Sequence, residues 1–287
     1  MKAKLIGRYI DQNTSLSIQD YSSNYFLNVW HYHPELELDI IKTGTGTKFI
    51  GDSVEKFEPG DIVLIGKNLP HLWQNDKAYF DEKSTLKADA VVIHFDQNFG
   101  SGLLNMPEMV EINHLLKKAV LGVAFTGRSN EIIFKKVDEL VASSGYEKIV
   151  LFVDILGRLA KHSDCRVLSS PGFVDSFQDN NSERMEPVYN YVMNHFKTEI
   201  KLETVANLAH MNPSSFSRYF SQLHKKTFTQ FLNEIRIGYA SKLLIENNCN
   251  ISTVCYESGF RNISNFNRLF KEIKKLTPSE YMRLLNV

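Results

Sequence analysis

The residues best suited to chemistry form two groups. Near the C-terminus, Ser214-Ser215-Phe216-Ser217-Arg218-Tyr219-Phe220 recurs fifty residues later as Ser264-Asn265-Phe266-Asn267-Arg268-Leu269-Phe270, so the pattern S-x-F-x-R-x-F occurs twice. On a helix the two Phe of each copy lie four apart and share a face. That leaves Ser214, Ser217, Arg218 and Ser221 outward in the first copy, and Ser264, Asn267, Arg268 and Lys271 in the second. An Arg guanidinium can hold guanine O6 and N7 together, an Asn amide can hold adenine N6 and N7, and a Ser hydroxyl reaches a base edge or a phosphate. Arg261, Lys225, Lys226, Lys274 and Lys275 flank these helices as phosphate contacts, which position without reading sequence. In the N-terminal half, His31, His33 and Glu37 fall on one face of a strand because side chains alternate, with Leu36, Leu38 and Ile40 on the other. Imidazole and carboxylate side by side suit metal ligation or hydrogen bonding to a polar small molecule.

The elements that would position the first group read as a repeated helix, turn and helix. In the first unit, residues 202–209 carry Leu202, Val205, Ala206 and Ala209 on one face, and the turn His210-Met211-Asn212 leads into a helix begun by Pro213. Asn212 is the expected N-cap and Pro213 sits at the first helical position, where its missing N–H costs nothing. In the second, residues 251–258 stop at Gly259, which can take the positive φ of a sharp helix end, and residues 262–264 offer N-cap candidates. Thr204-Val205-Ala206 matches Thr253-Val254-Cys255, with a small residue where the helices cross. Such a unit pushes its second helix into a DNA major groove. Residues 228–247 read as one connecting helix of ~30 Å at ~1.5 Å per residue. Successive major-groove faces lie ~34 Å apart, so one chain would read two adjacent turns of a duplex. A plain helical bundle with charged faces would not explain the paired motif and the groove-length spacer together.

Composition agrees with this division. The 287 residues suggest two domains at about 150 residues each. A hydrophobic content of 43% rules out a disordered chain. The net charge of +0 conceals a split: residues 186–287 hold 13 Lys+Arg against 8 Asp+Glu, and the remainder carries the opposite excess. A basic C-terminal third is expected to face a polyanion. Three cysteines, Cys165, Cys249 and Cys255, with no C-x-x-C pair, argue against a disulfide framework and a thiolate zinc site. Together with the lack of any apolar run of membrane-spanning length, they point to the cytoplasm and to no membrane partner.

Upstream, residues 25–96 alternate with period two between turn signals such as Gly44-Thr45-Gly46 and Pro59-Gly60-Asp61, as short strands of a sandwich or small barrel would. From about residue 103 the period becomes helical in three stripes, led by Met109, Ile112, Leu115, Leu116 and Ala119, then Ile132, Ile133, Val137, Leu140 and Val141, then Ile149, Phe152, Val153, Leu156 and Leu159. These stripes either cover the strands or pair with a second copy of the chain. Polar, turn-rich residues 169–185 read as an interdomain linker.

Residues 188–285 resemble the DNA-binding domain of the AraC/XylS family of bacterial transcription regulators. The most specific segment is Ile251-x-x-Val254-x-x-x-x-Gly259-Phe260-x-Asn262-x-Ser264-x-Phe266-x-Arg268-x-Phe270-Lys271, followed by Thr277-Pro278-x-x-Tyr281. Arg236, Ala240, Leu243 and Leu244 resemble the family's linker helix. Lys226 and Leu276 stand near positions where the family often has glycine, and Met282 replaces a frequent Arg. A second resemblance, to the cupin barrel, runs from His31 to Asn75. His31-x-His33, Glu37 and Gly44 match its first motif, and Gly60, His71 and Asn75 its second. The first motif's leading glycine is replaced by Tyr25, and Gly66 and Asn68 replace the usual Pro and Gly of the second.

The two resemblances imply a multidomain α and β protein: an N-terminal cupin-like β-barrel with following helices, then a C-terminal all-α double helix-turn-helix. The expected division is 1–100 effector-sensing barrel, 101–168 helical segment for dimerisation, 169–185 linker and 186–287 DNA-binding domain. The cupin resemblance brings His71 to His31, His33 and Glu37, three imidazoles and a carboxylate able to hold a divalent metal such as Fe, Mn, Ni, Zn or Cu. In regulators of the AraC/XylS kind it more often implies a metal-free pocket in which His31, His33, Glu37, Asp39, His71 and Trp73 hold a small polar effector such as a sugar. A structural polar cluster is the third reading. His94 is a further lining candidate, and Trp73 also reads as a core aromatic. DNA contacts are assigned to Ser214, Ser217, Arg218, Arg261, Ser264, Asn267, Arg268 and Lys271. The implied function is sequence-specific, non-catalytic transcription regulation, with duplex DNA, an effector, a second copy and, for an activator, RNA polymerase as partners. The rivals are a metal-dependent cupin enzyme and a nucleoid-type binder with little sequence preference.

Overall fold

The computed structural model describes residues 3–6, 14–96, 98–127, 130–178, 182–246 and 250–285. The strands are β1 Lys4–Leu5, β2 Leu16–Ser23, β3 His31–Tyr32, β4 Leu36–Ile41, β5 Gly46–Ile50, β6 Ser53–Phe57, β7 Ile62–Ile65, β8 His71–Asn75, β9 Ala88–Phe95, β10 Val123–Phe125 and β11 Cys165–Val167. Interspersed with the last strands and after them come α1 Ser101–Leu104, α2 Val110–Ala119, α3 Asn130–Ala142, α4 Tyr146–Ala160, α5 Pro171–Gln178, α6 Ser182–His195, α7 Leu202–Leu208, α8 Pro213–His224, α9 Phe228–Glu246, α10 Ile251–Glu257, α11 Ile263–Lys274 and α12 Pro278–Leu285.

The strands form a six-stranded sheet in the order β11-β10-β7-β4-β9-β2 and a five-stranded sheet in the order β1-β3-β8-β5-β6. This corrects the expectation of a closed cupin-like barrel. The six-stranded sheet ends on β11, exposed along its whole length, and on β2, whose Gln19, Asp20 and Ser22 are exposed. Polar, solvated edge strands of this kind discourage further pairing.

All six residues of β4 are buried, because the strand is covered on both faces. Leu36, Leu38 and Ile40 enter one apolar core with Ile62, Leu64, Val91, Ile93 and Phe95 of the neighbouring strands. The same core holds Ile112 and Leu115 of α2, Val137 and Leu140 of α3, and Phe152, Ile155, Leu156 and Leu159 of α4. Each fully buried side chain of this size contributes about 1.5–3 kcal/mol, so the helical stripes are used up in roofing the sheet. Of the two readings left open for residues 101–168, covering the strands is the observed use of those faces. Ile132, assigned to the buried stripe of α3, is 54% exposed because its neighbour Ile133 occupies the core-facing position.

The chain divides into two compact units, Lys4–Gly46 with Phe57–Ser169, and Met1–Ala3 with Thr47–Lys56 and Ser170–Val287. Three expected boundaries change accordingly. Residue 100 is no boundary, since 101–168 shares the core of the strands. The β5–β6 hairpin, Thr47–Lys56, groups with the C-terminal unit. Residues 169–185 are not an extended linker: Ser170 caps α5, its Oγ accepting from Phe173 N–H at 3.4 Å, and α6 begins at Ser182. A polar composition concealed α5 because its anchors, Phe173 and Val174, are only two residues long in sequence. The linker's residues 179–181 lie outside the described residues, as does Cys249, whereas Cys165 and Cys255 are free thiols. No helix among the described residues is long and apolar enough to cross a membrane.

Candidate nucleic-acid interface and ligand cavity

The two repeats fold as paired helices, α7–α8 and α10–α11. Asn212 caps α8 by accepting from Ser215 N–H at 2.9 Å, and Asn262 caps α11 by accepting from Asn265 N–H at the same distance. Asn250 caps α10 in the same way through Thr253 N–H, a cap that the Asn-x-x-Thr spacing could have revealed. Gly259 takes φ +85°, and a Cβ there would lie 2.6 Å from the Phe196 carbonyl oxygen, so both the turn and the close approach require glycine. Phe216, Phe220, Phe266 and Phe270 are fully buried. That fixes the rotation of α8 and α11, and Ser214, Arg218, Ser264, Asn267, Arg268, Arg261 and Lys271 are exposed as expected. Ser217 is half-buried and donates to the Pro213 carbonyl at 2.9 Å. Arg268 is held by Glu272 (3.0 Å) and Asn265 (3.1 Å), and Arg261 by Glu199 (2.7 Å). Lys225 and Lys275 are exposed, but Lys226, assigned to phosphate, is only 17% exposed and ion-paired to Asp52 and Glu234. The connecting helix α9 has 19 residues, or ~28 Å at ~1.5 Å per residue.

In the other unit, strand register assembles a polar cluster. β4 and β9 pair Glu37 with His94, and β3 and β8 pair His31 with His71. One ligand atom from each of His31, His33, Glu37 and His71 lies within 4.8 Å of the others, and all four residues are buried. Their imidazoles are oriented from behind: Nδ1 of His31 donates to the Val29 carbonyl (2.8 Å), that of His33 to Glu35 (3.1 Å) and that of His71 to Leu69 (2.8 Å). In the neutral ring each Nε2 then carries a lone pair, and those of His33 and His71 turn toward Glu37. Glu37 Oε2 lies 3.0 Å from His33 Nε2 and 2.5 Å from His94 Nε2, and Oε1 lies 3.4 Å from His71 Nε2. Burial opposes ionisation of Glu37, but electrostatic attraction to His71 and hydrogen bonding with His33, His71 and His94 outweigh it and hold the carboxyl well below the usual carboxylate range. Beside the cluster is a cavity of about 430 Å³ whose polar end is His31, Glu37 and Asp39 and whose walls include Tyr21, Phe26 and Trp73.

Residues 205–284 match the model of a helix-turn-helix domain. The chain is 29% identical over 88% of its length to 86% of an uncharacterized HTH-type transcriptional regulator, YdeC, of Bacillus subtilis. It is 23% identical, over 87% of both chains, to the HTH-type transcriptional activator RhaS of Mannheimia succiniciproducens. The C-terminal domain is an AraC-type helix-turn-helix domain, and along most of its length the chain is similar to HTH-type transcriptional regulators. Among solved structures, ToxT from Vibrio cholerae aligns with 96% of this chain and all of its own at 16% identity, with a TM-score of 0.38. The helix-turn-helix domain makes double-stranded DNA the partner of the C-terminal unit.

The N-terminal site residues separate into two layers. His31, Glu37, Asp39 and Trp73 line the cavity, whereas His33, His71 and His94 stand against Glu37. Trp73 packs edge-on to Phe57 at 5.2 Å while lining the cavity, so it is a core aromatic and a wall at once. Asn75, the last residue of the cupin-like spacing, accepts from Phe26 N–H and donates to the Thr45 carbonyl, a turn-holding role. Tyr21 and Phe26 were not foreseen as lining; the alternation along β2 would have nominated Tyr21, but nothing local marks Phe26. The donor set fits a divalent metal: imidazoles held by Nδ1–H to carbonyl bonds are the usual orientation of ligating histidines. His33 Nε2 facing a carboxylate also needs either a proton or a cation between two acceptors.

Proposed function

We propose that this regulator binds a specific duplex sequence through α8 and α11, and that a small polar effector in the 430 Å³ cavity controls that binding. One observation carries the DNA reading: two Asn-capped helices, each pinned by two buried Phe, each presenting an exposed Arg. Arg218, Ser214 and Ser217 read one groove, and Arg268, Ser264 and Asn267 the next, with Arg261 and Lys271 on phosphates. Selecting binding sites from random DNA at fixed salt tests it. The expected result is a consensus bound at least about 10³-fold more tightly than random duplex; equal affinity for all sequences would favour a phosphate-only binder.

The effector reading rests on the cavity's chemistry. Aromatic walls suit the apolar face of a ring, and Glu37, Asp39, His31 and, behind them, His33 and His71 suit hydroxyl groups. A sugar has both features. Titrating a panel of sugars and metabolites should find one that shifts operator affinity through different contacts in two states; ligands that bind without changing affinity or transcription would reject the coupling.

The histidine geometry favours a second reading of the same site, in which His31, His33, Glu37 and His71 hold a divalent metal. Bound there, the ion would supply positive charge and open coordination to an oxygen-bearing effector. Elemental analysis of the purified protein distinguishes the two. The regulator acts without catalysis, in the cytoplasm, as a homodimer, and contacts RNA polymerase when it activates; a turnover lost on His31→Ala or His71→Ala would instead support an enzyme.

A further inference from the structure

Helix α11 holds its own arginine from both sides. Arg268 Nη1 donates to Glu272 Oε2 at 3.0 Å, four residues on, and Nη2 donates to Asn265 Oδ1 at 3.1 Å, three residues back. At about 100° per residue, position 268 lies about 160° around the helix from both Phe266 and Phe270, so burial of those rings turns it away from the core. All three polar side chains are exposed. An exposed pair at this spacing adds little to helix stability; its consequence lies in where it sends the guanidinium. Each terminal nitrogen of that group has two N–H bonds, and each here gives one away. One N–H remains on each, the pair that guanine O6 and N7 accept.

Helix α8 has Ser215 and Gln222 at the corresponding places around Arg218. Both are neutral, and among the described residues Arg218 makes no hydrogen bond or ion pair. An arginine without partners keeps its rotamer freedom and can swing between a base and a phosphate. One that is held has given up that freedom before DNA arrives. Facing adenine, a held guanidinium sets an N–H against the N6 amino donor, and turning aside to a phosphate breaks its two bonds.

We propose that Glu272 is a positioning residue for base reading: with Asn265 it fixes the Arg268 guanidinium for guanine, and so makes α11 the stricter of the two reading helices. The proposal rests on the DNA reading above and adds which helix sets its fidelity.

The test uses the full chain and the DNA site recovered by selection, with affinities measured at fixed salt for that site and for each of its single-base variants. Arg268→Ala and Arg218→Ala first identify the base pair that each arginine reads. Glu272→Ala should lower discrimination at the Arg268 pair by about threefold or more, and should change nothing there once Arg268 is already Ala. Gln222→Ala, its counterpart in α8, should leave discrimination at the Arg218 pair unchanged. If Glu272→Ala alters affinity by one common factor for every sequence, or acts equally without Arg268, it is a plain charge and the proposal is overturned. Equal losses from Gln222→Ala and Glu272→Ala would overturn the contrast between the helices. If no specific site is recovered, or Arg268→Ala affects no single base pair, the DNA reading of α11 itself fails and takes the proposal with it.

Discussion

The two helix-turn-helix units share a motif, caps and buried Phe pairs, yet they differ at three corresponding positions. Where the first has His210, Lys226 and His224, the second has Gly259, Leu276 and Lys274. His224 is buried at the end of α8, where its Nε2 pairs with the Tyr189 hydroxyl at 2.7 Å, while Lys274 is half-buried. Lys226 is held by Asp52 and Glu234, and Leu276 has no charge to hold. His210 takes φ +55°, a conformation that glycine adopts without cost and that Gly259 occupies at +85°. The first unit is fastened to other elements at Lys226 and His224, and the second at Gly259, against the Phe196 carbonyl, and at Arg261, to Glu199.

The comparison can be broken at several strengths. The largest effect is expected where the units agree: Phe216→Ala and Phe266→Ala each empty a fully buried site and should cost about 3–5 kcal/mol in chemical unfolding. A much smaller loss in one would show that its helix is not pinned as described. Next comes acid. Burial, with Lys226 adding to it and Asp52 opposing, pushes His224 down to about 4 from its ordinary 6.5. A folded-state value below the unfolded one means that its stabilising effect is present in full above pH 6.5 and is lost as pH falls toward 4. The loss should reach about 3 kcal/mol, and residue-resolved hydrogen exchange should place it in α8 rather than α11. His224→Gln should flatten that part of the pH profile.

Base reading comes third. Arg218→Ala and Arg268→Ala should each cost about 1–3 kcal/mol at one base pair, and the two should be relieved by changes at different positions of the operator. Loss spread evenly over all sequences would reduce either Arg to a phosphate contact. Smallest is the turn: His210→Gly should raise stability by about 1 kcal/mol by removing a left-handed non-glycine residue. Gly259→Ala, which drives a Cβ into the Phe196 carbonyl, should lower it. A thermal melt of each variant reads the difference.

Features written in local spacing were legible before any fold was known. The twin S-x-F-x-R-x-F helices and the caps Asn212 and Asn262 depend on helical period and on neighbours three or four residues away. The imidazole–carboxylate group does not: His31 stands on β3 and Glu37 on β4 of the other sheet, so the expectation that one strand's alternation aligns His31, His33 and Glu37 fails, and tertiary packing brings them together. Pairing determined the rest. His94 meets Glu37 only because β4 and β9 pair in that register, and a slip of one residue would send it to the opposite face. The helical stripes of 101–168 had two equally good partners in sequence, and only packing against Leu36, Leu38 and Ile40 decided between them.

By itself, then, the sequence determined that the chain carries two Asn-capped helices, each pinned by a Phe pair and presenting an exposed Arg, since each follows from the period of one element. Tertiary structure alone decided that Lys226 is held by a carboxylate 174 positions earlier in the chain, and that Asp52 seals a helix starting at Pro171. Such contacts depend on where loops are carried by the elements beneath them, and no local rule of spacing encodes that.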